Sequence, residues 1–359
     1  MKKNIRIFGL CLLILAVFAC TSVGGVVSYT EIQASEQMHT LEELSHSGDS
    51  SVKSNEEPWE IILIETLDYI HIEKPVYGFI NAYGSNTVPV MIKGSVIAYL
   101  FDELNINRNT IVPLKPMKAH YAGLIANDKQ LLLEIEKERI VRTGMIKPEL
   151  KYIIYHDTGN NNAGADALMH TRYIRGSGNS RARSWHYTVD ALGIWQTIPD
   201  NEVAWHGDSY ESYAYSIGIE TCINSDNDLF LTWQLTAKLI AYLLDAYGLT
   251  PDAVMQHYEI MELAGMTGKD CPMTLRRAGL WETAKQLIIS EYIYLQNIVK
   301  NGYKTEFLTE SPEYIDPKGR IIALPNIETE VTYSVKITGP DNSVLEKRYT
   351  SVLLPVGIM

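Results

Sequence analysis

Tyr152-Ile153-Ile154-Tyr155-His156-Asp157-Thr158-Gly159 runs from four apolar or aromatic residues into a polar, turn-prone end. A short run rich in β-branched and aromatic residues, closed by turn formers, reads as a buried strand. His156 then stands at the strand's carboxyl end, where the sheet fixes the backbone and the next loop leaves the side chain accessible. Further on, Ala163 to Ile174 has helical composition. Trp185-His186-Tyr187-Thr188-Val189 and Ile194-Trp195-Gln196-Thr197-Ile198 flank the turn-like Asp190-Ala191-Leu192-Gly193, which predicts a hairpin. Ile217 to Ile223 reads as another strand. Thr232 to Tyr247 sets Leu235, Leu239, Tyr242 and Leu243 at helical spacing before the stop signal Gly248, and Trp281 to Val299 predicts a second long helix. Strands and helices interleave over 147–299, about one domain's length, so the expected fold is α/β, a central mixed β-sheet flanked by helices.

The flanks read differently. Residues 59–146 contain short apolar runs such as Ile61-Ile62-Leu63-Ile64, a helix expected around Ser95 to Leu104, and a charged, helix-forming stretch from Asp128 to Arg142. No chemistry is visible there, and the region is expected to be an N-terminal accessory segment. After Asn301, prolines and glycines punctuate short alternating strands. Thr329 to Ile337 is the clearest, and Val344 to Leu354 is expected to pair with it across Gly339-Pro340-Asp341-Asn342, giving a small β module over 300–359 with a truncated immunoglobulin-like pattern. At the start, basic Met1-Lys2-Lys3-Asn4-Ile5-Arg6 precedes an apolar run, Ile7 to Ala19, too short to span a bilayer comfortably. That is a secretory signal pattern over residues 1–20. Val17-Phe18-Ala19-Cys20 resembles a lipoprotein processing site with Cys20 as the lipid attachment point, and 21–58, rich in Ser, Glu, Gly and His, reads as a flexible tether. The working part is therefore expected outside the cytoplasm, either associated with the membrane through the signal or lipid anchor or secreted to the cell wall.

Charge narrows the partners. With 31 Lys and Arg against 43 Asp and Glu, a formal net charge of −12, the chain lacks the clustered cations that phosphate contacts need, so nucleic acid is not an expected partner. Of the four cysteines, Cys11 and Cys20 lie in the export signal, which leaves Cys222 and Cys271. His257 ends a short apolar segment, Ala253-Val254-Met255-Gln256, and Cys271 precedes Pro272 on a glycine-containing loop. His156, His257 and Cys271 together would make a two-imidazole, one-thiolate set that leaves a coordination position open, the arrangement of a catalytic zinc, with one Zn2+ per chain. Two alternatives stay open at this point: Asp270 can replace Cys271 as ligand, and a Cys222–Cys271 disulfide, possible in an exported protein, would consume the thiolate.

Six blocks occur in a characteristic order: Tyr155-His156-Asp157-Thr158-Gly159, Ser184-Trp185-His186-Tyr187-Thr188-Val189-Asp190, Ile198-Pro199-Asp200-Asn201-Glu202-Val203-Ala204-Trp205-His206, Ser216-Ile217-Gly218-Ile219-Glu220, Gln256-His257-Tyr258 and Gly268-Lys269-Asp270-Cys271-Pro272. In this the stretch from Lys151 to Val299 resembles the type 2 N-acetylmuramoyl-L-alanine amidases, the zinc amidases of autolysins and phage endolysins related to peptidoglycan-recognition proteins. The resemblance implies zinc ligation by His156, His257 and Cys271, a catalytic role for Glu220, oxyanion stabilisation by Lys269, and a substrate groove lined by Trp185, His186, Trp205 and His206. Its implied substrate is peptidoglycan or muropeptides, cut at the amide between N-acetylmuramic acid and L-alanine. Two departures touch the groove: this chain reads Trp205-His206-Gly207-Asp208 where the family commonly has an alanine between the His and the Gly, and Tyr210-Glu211-Ser212-Tyr213-Ala214-Tyr215 lacks the usual asparagine. Other functions fit the same blocks, namely a non-catalytic peptidoglycan-binding protein or a zinc hydrolase of the same fold acting on another amide. In binding-only relatives the cysteine ligand is typically replaced, so Cys271 speaks for the enzyme.

Overall fold

The computed structural model describes residues 59–70, 78–81, 87–90, 103–115, 120–319, 322–323 and 325–353. The expected export signal with Cys20, the tether, and the helix around Ser95 lie outside the described residues. Strands β1 (Gly78–Asn81) and β2 (Thr87–Val90) form an antiparallel pair. The central sheet contains β3 (Ile106–Asn107), β4 (Tyr152–Asp157), β5 (Tyr187–Asp190), β6 (Gly193–Gln196), β7 (Ser216–Thr221) and β8 (Val254–Gln256), in the order β3-β6-β5-β7-β4-β8. The β5–β6 hairpin is antiparallel and every other neighbouring pair is parallel. Parallel neighbours need crossover connections, and helices supply them. The α-helices of the described residues are α1 (Trp59–Ile70), α2 (Lys129–Lys137), α3 (Ala167–Arg175), α4 (Tyr210–Tyr215), α5 (Leu229–Ala246), α6 (His257–Leu263), α7 (Met273–Ala278) and α8 (Trp281–Tyr294), the last continued by a π-helical turn over Leu295–Val299. The architecture is the expected one, a mixed sheet flanked by helices.

Side chains alternate across a strand, and here that alternation separates core from chemistry. Ile153 and Tyr155 of β4, Ile217 and Ile219 of β7, and Tyr187 and Val189 of β5 point into one apolar cluster with Trp233, Leu239, Ile240 and Leu243 of α5 and Leu287 and Ile288 of α8. Each fully buried side chain of this kind contributes about 1.5–3 kcal/mol relative to exposure. The intervening residues His156, Gly218, Glu220 and Thr188 therefore share the opposite face. A one-residue slip of β4 or β7 would turn the polar set into the apolar core and the isoleucines onto the polar face, so the pattern sets the register.

Helix starts follow capping side chains more closely than hydrophobic spacing. Asp166 accepts from the Met169 N–H, so α3 begins at Ala167, and Asp228 accepts from the Leu231 N–H, so α5 begins at Leu229, before the expected Thr232. Such a cap is worth about 1 kcal/mol. The stretch expected to be helical from Asp128 to Arg142 stops at Lys137, and Arg139 takes a left-handed φ of 55°. Freed from the helix, Arg142 donates its Nε to both Glu202 carboxylate oxygens at 2.9 and 3.0 Å.

The two flanks share cores with the middle. Leu63, Leu67 and Ile70 of α1 join the same cluster as the sheet and α8, and so do Phe307, Tyr333, Val335 and Leu353. The latter come from β9 (Lys304–Thr309), β10 (Thr329–Thr338) and β11 (Val344–Leu353), an antiparallel sheet in the order β11-β10-β9. The β10–β11 pairing runs Thr338↔Val344 to Thr329↔Leu353, across the expected Gly339–Asn342 turn. A second cluster joins Leu132 and Ile135 of α2 to Val203, Trp205, Tyr210 and Tyr213.

Candidate metal centre

His156 occupies the penultimate position of β4, with β7 on one side and β8 on the other. His257 is the first residue of α6, immediately after β8 ends at Gln256. Glu259 holds that junction: its Oε2 accepts the Gln256 N–H at 2.6 Å, which secures the strand-to-helix turn that aims His257. Cys271 returns to the same point because its loop is tied down at several places. The Tyr258 N–H donates to the Cys271 carbonyl at 3.1 Å. Arg276 lies 3.8 Å from the centroid of the Tyr258 ring and donates to Gln256 Oε1 at 3.0 Å. Asp157, next to His156, accepts the Thr274 N–H at 2.7 Å, linking the end of β4 to the helix that follows Cys271.

The donor atoms converge. His156 Nδ1 lies 3.1 Å from His257 Nδ1 and 3.7 Å from Cys271 Sγ, and one donor atom from each of the three residues falls within 4.8 Å of the others. Around a tetrahedral zinc, bond lengths of about 2.0–2.1 Å to nitrogen and about 2.3 Å to sulfur would separate two nitrogens by about 3.3 Å and a nitrogen from a sulfur by about 3.6 Å. The spacing fits, and the nitrogen and thiolate donor set is one that zinc favours. All three residues are buried, and this is the one such group among the described residues. Burial pushes the His156 imidazolium well below its usual range, with His257 and His206 adding to the effect, so the ring is neutral and its lone pair available. Burial pushes the Cys271 thiol up, helped by Asp157 and Glu220, so the thiolate depends on a cation for its formation.

Supporting groups surround these three residues. Glu220 pairs with His156 across the β4–β7 ladder, and its Oε2 is buried with no hydrogen-bond partner. Burial, with the Asp157 charge, raises its carboxyl well above the usual range. His156 Nε2 meets His206 Nδ1 at 3.1 Å. The remaining nitrogen of His206, Nε2, is a second buried atom without a partner. Asp208, which sequence reading did not single out, places Oδ2 3.5 Å from His257 Nε2 and 3.4 Å from Lys269 Nζ. The His257 imidazole and the Lys269 ammonium hold its carboxyl well below the ordinary value. Its backbone takes a left-handed φ of 52° directly after Gly207 at 73°. The Gly-Asp dipeptide is a turn signal that could have pointed to it.

Several candidates sit elsewhere. Trp185 packs with Val112 and Ile174 and donates Nε1 to Thr188 Oγ1 at 2.7 Å, and Trp205 packs in the α2 cluster and donates to the Ile140 carbonyl. Neither indole joins the metal centre. His186 is buried and stacks edge-on against His206, with ring centroids 5.4 Å apart. Asp270 turns away to Arg276 at 3.2 Å and Arg277 at 2.8 Å. Cys222 and Cys271 are both free thiols, so the disulfide alternative does not apply.

Gly218 holds the imidazoles close to the strand. A Cβ built there would lie 2.4 Å from His206 Nδ1, and the ring occupies the space a side chain would need. Gly218→Ala is expected to displace His206 from His156, costing about 1–3 kcal/mol in stability from overpacking. Denaturant unfolding, paired with a zinc titration, should show both a lowered midpoint and weaker metal retention.

A family model described as N-acetylmuramoyl-L-alanine amidase matches residues 147–274. The chain carries a domain of that family. It is 36% identical over 136 residues to the N-acetylmuramoyl-L-alanine amidase XlyA of Bacillus subtilis (strain 168), covering 37% of this chain and 42% of that protein. To CwlH of the same organism it is 35% identical over 127 residues, covering 34% and 48%. The chain thus spans less than half the length of these curated relatives. A mutant endolysin from Bacillus subtilis aligns in structure over 52% of this chain and 99% of its own, with 29% identity and a TM-score of 0.40. The amidase domain bounded by the match contains His156, Glu220, His257, Lys269 and Cys271, whereas α1, α8 and the C-terminal sheet lie outside it.

Proposed function

We propose that this chain is a zinc-dependent N-acetylmuramoyl-L-alanine amidase, which hydrolyses the amide between N-acetylmuramic acid and L-alanine in bacterial peptidoglycan. The observation that carries the reading is the convergence of His156, His257 and Cys271 on one point, with Glu220, whose buried Oε2 has no hydrogen-bond partner, on the adjacent strand. The family of the matched domain and the names of its relatives agree with it. So does the export pattern over residues 1–20, because the substrate lies outside the cytoplasmic membrane.

In this reading His156, His257 and Cys271 hold the zinc. When bound, the ion supplies Lewis-acid chemistry, acidifying water and polarising a carbonyl. The Glu220 carboxylate takes the proton of the attacking water and returns it to the nitrogen of the departing L-alanine, and burial raises its affinity for that proton. Lys269, held near the site by Asp208, donates to the oxygen as the amide carbon becomes tetrahedral. His206 presents Nε2 as a second donor toward the substrate carbonyl, and Asp208 places its carboxylate charge 3.5 Å from the far nitrogen of His257.

Incubating the purified protein with peptidoglycan, with and without a chelator, tests the reading. New free L-alanine amino termini should appear and should vanish on chelation, returning when zinc is restored. A zinc-loaded protein that binds peptidoglycan and releases no such termini would leave a binding module instead.

A further inference from the structure

Lys147 is a buried lysine whose surroundings specify its charge. Its backbone N–H donates to the Asn201 carbonyl at 2.8 Å, beside the Ile146–Glu202 bridge, which carries the side chain inward. Nζ donates to the Asp200 carbonyl at 2.8 Å and to the Glu202 carbonyl, and lies 2.7 Å from His186 Nε2. The two nitrogens of His186 have opposite duties. Nδ1 accepts the Gly218 N–H at 2.9 Å and so carries no proton, while Nε2 faces the Glu202 carbonyl at 2.9 Å and so must carry one. A carbonyl cannot donate, and that assigns the tautomer.

The Nε2 proton is therefore shared between the Glu202 carbonyl at 2.9 Å and Nζ at 2.7 Å. An ammonium has three donors and no lone pair, and its third proton would meet the proton of His186. A neutral amine has two donors and one lone pair, matching two carbonyls and one imidazole N–H. We propose that Lys147 works as an uncharged amine that locks His186 in the Nε2–H tautomer, and is thereby a positioning residue for the β7 segment carrying Glu220. Gly218, held by His186 Nδ1, is two residues from Glu220 on the same face of β7, and it is the seat of the His206 ring that meets His156.

The charged groups around Lys147 are consistent with this. The Asp200 carboxylate already accepts from the Tyr187 hydroxyl, Gln196 and the Tyr247 hydroxyl, and the Glu202 carboxylate from Arg142 and the Gly144 N–H. Lys147 meets the backbone carbonyls of these two residues. Burial pushes its ammonium down to about 7, against the opposing pull of Asp200 and Glu202. The unfolded chain binds a proton at this lysine up to about pH 10.4, and the native chain releases it above about 7, so stability from this group rises with pH across that window and is flat below it.

The charge state is independent of the amidase reading, and the consequence for turnover rests on it. The full chain, labelled with 13C and 15N in lysine and histidine, should show a lysine side-chain titration with a midpoint near pH 7 that is missing in Lys147→Met, and His186 shifts of the Nε2–H form above that midpoint. Turnover of peptidoglycan should fall as pH drops through the same midpoint, Lys147→Met should lack that limb, and Lys147→Arg, a permanent cation, should lower turnover at every pH. A Lys147 that titrates above pH 9 overturns the proposal, whatever the activity. A midpoint near 7 without any peptide release would uphold the amine and sink the amidase reading. Equal pH profiles for wild type and Lys147→Met would refute the positioning role.

Discussion

Cys271→Ser is expected to abolish zinc retention and, with it, release of peptide from peptidoglycan. Thiolate is the group that binds zinc, and a serine hydroxyl in a buried site stays protonated and offers only a weak neutral oxygen. Two imidazoles would then remain around an ion with two open positions. Affinity should fall by more than the roughly 10–100-fold typical of losing a supporting contact outside the ligand set. Metal content after dialysis against a mild chelator measures this, and circular dichroism confirms that the helices and sheet persist. Asp270→Ala is the paired control: with Asp270 bound to Arg276 and Arg277, its loss should leave the metal in place. Stoichiometric zinc in Cys271→Ser, or its loss in Asp270→Ala, would show that the ligand set is wrong.

Glu220→Gln should behave in the opposite way, with zinc kept and turnover lowered by about 10²–10⁴-fold, the range a positioned general acid–base group contributes. The amide of glutamine fills the same space and neither accepts nor returns a proton at the required moment. Because Glu220 lies across the ladder from His156 and outside the convergent donor set, the metal should be retained at the wild-type stoichiometry. Loss of zinc together with activity would make Glu220 a structural support of the ligands. Wild-type turnover in the variant would move the proton-transfer role to another group.

Much of the fold could be read from local pattern. Ile153, Tyr155, Ile217 and Ile219 alternate with His156, Gly218 and Glu220, and period two is a property of any strand, so the split between core face and polar face needed no coordinates. The hairpin at Asp190-Ala191-Leu192-Gly193 and the C-terminal pairing across Gly339–Asn342 were readable for the same reason, turn chemistry being local. Helix boundaries were less so, because Asp166 and Asp228 act through single side-chain bonds that hydrophobic spacing does not register. The contact of α1 with the C-terminal sheet, where Lys347 and the Tyr349 hydroxyl donate to Asp68, joins segments far apart in the chain. No window of sequence contains that contact.

The same division runs through the candidate site. The residue types at His156, His257 and Cys271 determined by themselves that an open nitrogen and sulfur site for a metal was chemically available, since donor identity belongs to the side chain. The tertiary structure alone brought them together, because β4, β7 and β8 become neighbours only through the crossover helices α3 to α5. It also packed Trp185 with Val112 and Ile174 and Trp205 with the α2 cluster, brought Asp208 near His257 through a left-handed turn, and enclosed Lys147 beside His186. Ligand chemistry is intrinsic to a residue, whereas burial, charge state and proximity are properties of the neighbours that a non-local chain path supplies.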